Sequence, residues 1–290
     1  TFTSLDWERE FRFNLALEFI AFPDEDADGL ADHWETANGL DPGDNGATDV
    51  NNGPSGDPDG DDLTNLEEFE ADTNLRLCLI VDTSGSLNFT VDGISKINYI
   101  KSLAGTLAYL ASRQGDAVGL YCAGKNFHTE IKPKRNATHL RIVLDKLAEI
   151  KAEGGTGLAE SLHEAAEGID QRALVVVISD LYIEPDILNS CFQHLRFRKH
   201  DVVTFHLLDQ SEVDFDFDRP TRFVDMEGGV PIMADPSLVS KQYQQAITGY
   251  LADLETVMLD AAIDYHRVNL RDPVDEILAR FLVGRKPKKK

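Results

Sequence analysis

The chain has 290 residues, of which 42% are hydrophobic, and this length allows one large domain or two smaller ones. The formal net charge is −23, and residues 1–75 carry 21 Asp and Glu against two Arg. This charge argues against a nucleic-acid partner, whose phosphates require Lys and Arg, and no apolar run approaches the ~18 residues of a membrane span.

The first predicted element lies in EFRFNLALEF, residues 10–19. Apolar and polar side chains alternate there, and a period of two is typical of a half-buried strand. Because no partner strand for a hairpin lies nearby, we interpret residues 1–23 as a lone strand or as a fragment of an upstream module. Residues 24–74 follow as a predicted acidic calcium-binding repeat region.

The first acidic loop, DEDADGLADHWE at residues 24–35, matches a twelve-residue calcium loop. A hard cation takes six to eight oxygens, which alternating acids and a closing glutamate supply around a glycine turn. The predicted Ca²⁺ ligands are Asp24, Asp26, Asp28, the carbonyl of Leu30, Asp32 and Glu35. A solvated acidic turn is the alternative interpretation.

A second copy of the loop is DPDGDDLTNLEE, residues 57–68. Its predicted Ca²⁺ ligands are Asp57, Asp59, Asp61, the carbonyl of Leu63, Asn65 and Glu68. Asp62 stands where the loop needs glycine, so the function of this copy is left open. The paired loops resemble the thrombospondin type 3 and dockerin-like calcium repeats of bacterial secreted proteins, and this resemblance implies export.

From residue 75 to residue 285, apolar strands alternate with amphipathic helices. The predicted strands are LRLCLIVD (75–82), DAVGLYCAG (116–124), ALVVVISD (173–180), DVVTFHLLD (201–209) and DYHRVNL (264–270). The predicted helices are residues 95–115, 137–150, 157–169, 184–198, 240–263 and 272–284. This alternation predicts an α/β fold with a doubly wound, mostly parallel sheet flanked by helices. The basic tail, residues 286–290, is interpreted as a solvated end.

Polar residues gather where these predicted strands end. Asp82, Ser84 and Ser86 follow the first strand, Thr156 lies in a glycine-flanked loop, and Asp180 ends another strand. Since the carboxyl ends of parallel strands meet at one edge, we expect these five residues to converge. Hydroxyl oxygens with few carboxylates favour Mg²⁺ or Mn²⁺ and leave the ion ready to accept an outside carboxylate. The alternative is that Asp82 and Asp180 only cap local structure.

This DxSxS…T…D arrangement resembles the metal-ion-dependent adhesion site of von Willebrand factor A domains. FEADTNLRLCLIVDTSGSL, GGTGLAESL, VVVISDL and HDVVTFHLLDQSE extend the resemblance over about residues 69–285, to a bacterial family of such domains encoded beside MoxR-type AAA+ ATPases and catalogued as a domain of unknown function. The resemblance implies that the same five residues bind the metal. It also implies a partner carboxylate, from such an ATPase or its client.

Two departures from that family pattern stand out. Leu87 occupies a position where many members have Met, and the calcium loops replace the usual upstream segment, so the chain resembles a fusion. The main domain indicates the cytoplasm, whereas the calcium repeats indicate export to the periplasm or beyond. The compartment is therefore left open.

The leading functional hypothesis is a metal-dependent protein-binding module that acts in complex assembly. The alternative is an exported, calcium-stabilised adhesin that uses the same metal site. A hydrolase is less supported, because Ser84 lacks a G-x-S-x-G elbow and GGTG lacks the Gly-Lys-Ser/Thr of a P-loop. We therefore predict no catalytic residue.

Overall fold

The computed structural model describes residues 24–30, 32–60, 63–67, 76–124, 129–215, 219, 221–224 and 232–284. The predicted strand at 10–19 and the basic tail at 286–290 lie outside these described residues. The chain divides into two compact units, residues 1–74 and 75–290. Within the described ranges, no helix combines the length and apolar character needed to cross a membrane.

The described part of the first unit contains the helix α1 (Asp32–Asn38), a 3-10 turn at Val50–Asn52 and helical residues at 65–67. Its small core consists of Leu30, Trp34 and Leu40. The segment between the two acidic loops folds around the Asp44 carboxylate, which accepts hydrogen bonds from the backbone of Thr48 and Asp49 and from the amide of Asn52. A Cβ on Gly53 would lie 2.5 Å from the carbonyl oxygen of Asn45, so this close approach requires glycine.

The second unit alternates strands and helices along the chain. Its strands are β1 Arg76–Asp82, β2 Thr90–Val91, β3 Ile94–Ser95, β4 Ala117–Ala123, β5 Thr129–Lys134, β6 Leu174–Ser179, β7 Asp201–Leu207, β8 Thr221–Phe223, β9 Ile232–Ala234 and β10 Asp264–Val268. Its helices are α2 Lys96–Arg113, α3 Ala137–Glu149, α4 Leu158–Gly168, α5 Pro185–Phe197, α6 Gln210–Asp214, α7 Pro236–Asp260 and α8 Val274–Gly284, with a 3-10 turn at Gly85–Asn88.

The central sheet has six strands in the order β10-β7-β6-β1-β4-β5. All neighbours pair in parallel except β4 and β5, which are antiparallel. Two short antiparallel hairpins, β2-β3 and β8-β9, lie apart from it. The predicted α/β class with a doubly wound, mostly parallel sheet is confirmed.

The apolar run of β1 explains the position of the core. Leu77, Leu79 and Val81 face one hydrophobic cluster, which α2, α3 and α8 complete. Cys78 and Ile80 face the opposite cluster, which α4, α5 and α7 complete. Because successive side chains of a strand point to opposite faces, a strand covered by helices on both sides must be apolar throughout.

The edge strand β5 was not predicted from the sequence. Its residues, TEIKPK, alternate between half-buried and exposed, and Pro133 lies within the strand. Proline has no backbone N–H to donate to a neighbouring strand and therefore occurs at sheet edges and bulges. A proline inside a short polar segment thus argues against a strand when only the sequence is considered. The helix predicted from residue 240 begins at Pro236, one turn earlier than its apolar pattern suggests.

The strand order positions a site at the carboxyl end of β1. β1 pairs with β4 on one side and with β6 on the other, so the chain leaves β1 in one direction and later returns on its opposite side. Ligands of such sheets bind at the point where the strand order reverses. Asp82 ends β1 and Asp180 follows β6, so both lie at this edge.

Candidate metal centres

The loop after β1 brings three of the predicted magnesium ligands together. The Asp82 carboxylate accepts a hydrogen bond from the backbone N–H of Ser84, at 2.8 Å from Oδ1, and this bond turns the chain. The hydroxyl oxygens of Ser84 and Ser86 lie 3.0 Å apart. Two neighbouring oxygens of an octahedral Mg²⁺ site are also separated by about 3 Å, because Mg–O distances are about 2.0–2.1 Å.

The loop before α4, residues 150–157, lies against the loop after β1. The hydrogen bonds that join them are Gly85 N–H to Gly154 O at 2.8 Å, Glu153 N–H to Thr83 O at 3.0 Å, and the Asn88 amide to Ala152 O at 2.8 Å. Thr156 lies in this joined loop, and its hydroxyl accepts a hydrogen bond from Leu158 N–H at 3.2 Å. The structure therefore brings the segment of Thr156 to the site, while its role as a ligand stays a prediction.

Asp180 is buried beside a lysine that the sequence analysis did not single out. Lys96 begins α2, and its Nζ lies 3.1 Å from Oδ2 of Asp180 and 2.7 Å from Oε1 of Glu212. The rings of Phe89 and Tyr182 each have their centroid 5.3 Å from the ammonium nitrogen. Oδ1 of Asp180 is buried with no hydrogen-bond partner among the described residues. One carboxylate oxygen is thus neutralised by lysine, and the other has no partner within the described chain.

Ser179 is a second residue of this site, after Lys96, that the sequence analysis did not identify. Its hydroxyl donates to Oδ2 of Asp82 at 2.5 Å and accepts from the backbone N–H of Leu181 at 2.9 Å. Ser179 is fully buried at the end of β6. The only sequence signal for this role was a serine that interrupts an otherwise apolar strand one residue before Asp180.

The electrostatics of this edge fit a divalent cation. Burial, together with the charge of Asp180, raises the pKa of Asp82 to about 7. Burial also raises the pKa of Asp180, against the opposing effect of the Lys96 ammonium. With the carboxylates of Asp82, Asp180 and Glu212 all deprotonated and the Lys96 amine protonated, this edge would carry a charge of −2, which one divalent ion would balance.

In the first acidic loop, three of the six predicted calcium ligands lie close together. One carboxylate oxygen from each of Asp24, Asp26 and Asp28 lies within 4.8 Å of the others. The Asp32 carboxylate accepts the backbone N–H of Glu25 at 2.8 Å, which folds the loop back onto the start of α1. The alternating acids thus bring three carboxylate oxygens together, while Ca²⁺ binding by the loop stays a prediction.

The burial of Glu35 is the strongest structural argument for a cation in this loop. Its side chain is fully buried, and neither carboxylate oxygen has a hydrogen-bond partner among the described residues. Buried oxygens of Asp26 and Asp28 share that lack of a partner. Burial, followed by the negative charges of the loop aspartates, raises the pKa of Glu35 to about 7. Buried, unpaired carboxylates are costly unless a cation binds them, so these residues fit Ca²⁺.

The second acidic loop is described only in part, since Asp61 and Glu68 lie outside the described residues. Asp57 Oδ1 accepts the backbone N–H of Gly60 at 2.8 Å, and Leu63 is exposed. Asn65 is buried, and its amide donates to the carbonyls at residues 51 and 53. Asp57, Asp59, Leu63 and Asn65 as calcium ligands therefore stay predictions.

A known protein family matches more than half of the chain. Residues 62–249 match the family described as "Protein of unknown function DUF58". The chain belongs to the DUF58 family. The DUF58 match begins inside the second acidic loop and ends within α7, whereas the sequence resemblance was drawn over about residues 69–285. No curated protein matches the chain.

Several solved structures resemble this DUF58 protein at low sequence identity. BatB from Bacteroides thetaiotaomicron is 16% identical, with a TM-score of 0.47 over 73% of this chain and 98% of its own. An aerotolerance-related membrane protein from Bacteroides fragilis is 17% identical, with a TM-score of 0.48 over 72% of this chain and 98% of its own. The SpRpn10 VWA domain is 9% identical, with a TM-score of 0.45 over 72% of this chain and 95% of its own.

Proposed function

We propose that the second unit is a metal-dependent protein-binding module. Mg²⁺ or Mn²⁺ binds at Asp82, Ser84, Ser86, Thr156 and Asp180, and a carboxylate of a partner completes its coordination. The observation that carries this proposal is the buried edge at which Asp82 and Asp180 meet two serine hydroxyls, with one Asp180 oxygen unpartnered among the described residues.

The charge of the site supports an acidic partner group. Lys96 pairs with both Asp180 and Glu212, so part of the negative charge of Asp180 is already compensated by the lysine. An ion held largely by hydroxyls and water keeps much of its positive charge and attracts a further carboxylate. By family resemblance, we propose that the partner is a MoxR-type AAA+ ATPase or a client of it, and that the complex serves assembly or maturation.

Calorimetry and partner capture with the full chain test this proposal together. Wild type is expected to bind one Mg²⁺ or Mn²⁺ at this site and to capture the MoxR-type ATPase only when the metal is present. Asp82→Ala removes a ligand charge and is expected to abolish both events. Thr156→Ala is expected to retain metal binding but to lose partner capture, because the remaining ligands hold the ion in an altered geometry.

A matched control comes from the surface of α2. Ser84→Ala is expected to weaken metal binding, whereas Ser102→Ala, which changes an exposed serine bonded to the Asn98 carbonyl, is expected to leave it unchanged. Capture of the ATPase by Asp82→Ala protein in the presence of chelator would contradict the metal bridge. Metal binding without any capture would retain the site and reject this partner.

We propose no enzymatic activity for the module. Acyl or phosphoryl transfer needs a positioned base next to the nucleophile and donors aimed at the developing charge. The hydroxyl of Ser84 instead lies beside that of Ser86, and Asp82 bonds to Ser179 and to the backbone of Ser84. Turnover of ester or phosphoester substrates that Ser84→Ala abolishes would overturn this proposal.

We also propose that the first acidic loop binds Ca²⁺, and the buried Glu35 supports this. A calcium-stabilised, exported adhesin is the second candidate function for the chain. The calcium affinity distinguishes an exported adhesin from a cytosolic module. Extracellular modules bind Ca²⁺ with dissociation constants of about 10⁻⁴–10⁻³ M, and cytosolic sites bind it far more tightly. A dissociation constant in the extracellular range would favour the adhesin, and one below about 10⁻⁵ M would favour a cytosolic module.

A further inference from the structure

The loop after β6 contains a strained residue next to a predicted metal ligand. Leu181 follows Asp180 and has a φ of 54°, in the left-handed region that residues with large side chains rarely adopt. Its side chain is fully buried in the cluster that α4, α5 and α7 complete. Such a conformation costs free energy and persists only where the surrounding structure enforces it. The contacts that enforce it also fix the backbone next to Asp180.

A tyrosine of α7 contacts this backbone directly. The Tyr250 hydroxyl donates a hydrogen bond to the carbonyl oxygen of Leu181 and lies 3.0 Å from the carbonyl oxygen of Ile183. The N–H of Ile183 bonds to the Leu181 carbonyl at 2.6 Å, which closes a tight turn, and the hydroxyl bridges its two ends. Burial raises the pKa of Tyr250 to about 12, so the hydroxyl keeps its proton and remains a donor.

The two peptide groups that flank the Cα of Leu181 are each held by a side chain. Tyr250 bonds to the carbonyl on one side, and the N–H on the other side donates to the hydroxyl of Ser179 at 2.9 Å. That hydroxyl in turn donates to Oδ2 of Asp82 at 2.5 Å. Because the orientations of two neighbouring planar peptides define φ and ψ of the residue between them, Tyr250 and Ser179 together fix the left-handed conformation.

We propose that Tyr250 is a positioning residue for the magnesium site and acts through the backbone of Leu181. This inference rests on the proposed function, and it adds α7 to the elements on which metal binding depends. Without the hydroxyl, the strained backbone is free to relax towards an ordinary conformation. Leu181 is bonded directly to Asp180, and its N–H orients the Ser179 hydroxyl. Relaxation would therefore move Asp180 and release Asp82 from the positions that suit an ion.

Calorimetric titration of the full chain with Mg²⁺, at one fixed Ca²⁺ concentration, tests this role. Tyr250→Phe removes the hydroxyl and keeps the ring. It is expected to raise the Mg²⁺ dissociation constant about tenfold, the lower end of the effect when a residue that orients metal ligands is lost. Tyr99→Phe is the matched control, because the Tyr99 hydroxyl also donates to a backbone carbonyl, that of Asp272 at 2.8 Å, in a loop without a predicted ligand. It is expected to keep wild-type affinity.

A double-mutant cycle in the metal-free chain tests the connection through Leu181 without any ion. Urea unfolding is measured for Tyr250→Phe, for Ser179→Ala and for the double variant. The double variant is expected to lose less stability than the two single losses combined, because both substitutions release the same strained residue. Tyr99→Phe combined with Ser179→Ala is expected to be additive.

The outcomes separate this inference from the proposed function. Mg²⁺ binding by wild type that Tyr250→Phe leaves unchanged would overturn the positioning role and retain the metal site. Absence of Mg²⁺ binding by wild type would overturn the proposed function and the positioning role with it. Additive losses of stability for Tyr250→Phe and Ser179→Ala would show that Leu181 does not connect the two residues, whatever the metal result.

Discussion

The ammonium nitrogen of Lys96 lies 3.1 Å from Oδ2 of Asp180, and both side chains are buried. The side-chain nitrogen of Lys96 thus lies at the sheet edge where the sequence predicts a metal ion. The lysine also bonds to Glu212, whose carboxylate accepts hydrogen bonds from Tyr182 and from the backbone of Asp209. Asp180 is therefore both the ion-pair partner of Lys96 and a predicted ligand of the metal ion.

This sharing predicts opposite effects of Lys96→Met on stability and on metal affinity. Without metal, the variant should be less stable by about 3–5 kcal/mol, because breaking a buried ion pair leaves uncompensated carboxylates. Mg²⁺ should bind about tenfold more tightly or better, since a repulsive charge is gone and 1.4 kcal/mol corresponds to a factor of ten. Urea unfolding and calorimetry measure the two quantities.

Lys101→Met is the matched control on the same helix. Lys101 bonds to the Ala148 carbonyl near the surface, so its loss should change neither Mg²⁺ affinity nor stability by more than about 0.5 kcal/mol. Weaker Mg²⁺ binding by Lys96→Met would mean that the lysine helps to build the ion site instead of competing with the ion.

Ser179→Ala should destabilise the protein by about 2–4 kcal/mol, because an unsatisfied buried partner costs about 1–3 kcal/mol. The hydroxyl joins Oδ2 of Asp82 and the backbone N–H of Leu181, and both would lose their partner. Urea unfolding of the metal-free chain measures the loss. Ser102→Ala, at an exposed position, should change stability by less than about 0.5 kcal/mol, and equal effects of the two substitutions would contradict the assignment.

Glu35→Gln should remove most of the stabilisation that Ca²⁺ gives to the first unit. At a calcium concentration 100 times its dissociation constant, binding stabilises a folded site by about 2.7 kcal/mol. Without calcium the substitution should cause no loss of stability, because an amide carries no charge into the buried position. Thermal unfolding followed by tryptophan fluorescence reports on this unit, since Trp34 precedes Glu35 on α1 and lies in its small core.

The control for this prediction is Glu25→Gln. Glu25 occupies the second position of the loop, which supplies no ligand, and it is exposed. It should respond to calcium as wild type does. A melting temperature that calcium and chelator leave unchanged in wild type would rule out the calcium loop.

His200 should make the fold sensitive to mild acid. Its ring is buried, neither nitrogen has a hydrogen-bond partner among the described residues, and burial, with the nearby charge of Arg198, lowers its pKa from 6.5. Because the unfolded chain binds the proton more readily, this stabilisation is complete above pH 6.5 and declines as the pH falls. The decline is at most about 1.4 kcal/mol per pH unit.

His200→Leu removes the ionisable ring and should flatten this part of the pH dependence. The measurement is the free energy of unfolding of both proteins between pH 7.5 and pH 5. Only the difference between the two curves is used, since the other titrating groups are common to both. Parallel curves would show that the ring of His200 is not held uncharged by the fold.

Local patterns predicted the sheet and the ends of its strands. The apolar runs of β1, β6 and β7 are long enough to identify buried strands, and the polar residues that follow them identify Asp82 and Asp180. The twelve-residue spacing likewise predicted the oxygen cluster of Asp24, Asp26 and Asp28, because short alternating acids fold around one point whatever surrounds them. β5 was not predicted, because it is a short edge strand of mostly polar residues that contains a proline.

The sequence by itself determined which residues can supply oxygen ligands and on which strand ends they lie, because period and spacing are local properties of the chain. Only the tertiary structure decided what surrounds them. Lys96 is 84 residues from Asp180 and 116 from Glu212, and Ser179 is 97 residues from Asp82. The burial that raises the pKa of Asp180, and the lysine that opposes this effect, depend on such long-range packing, and no local pattern encodes them.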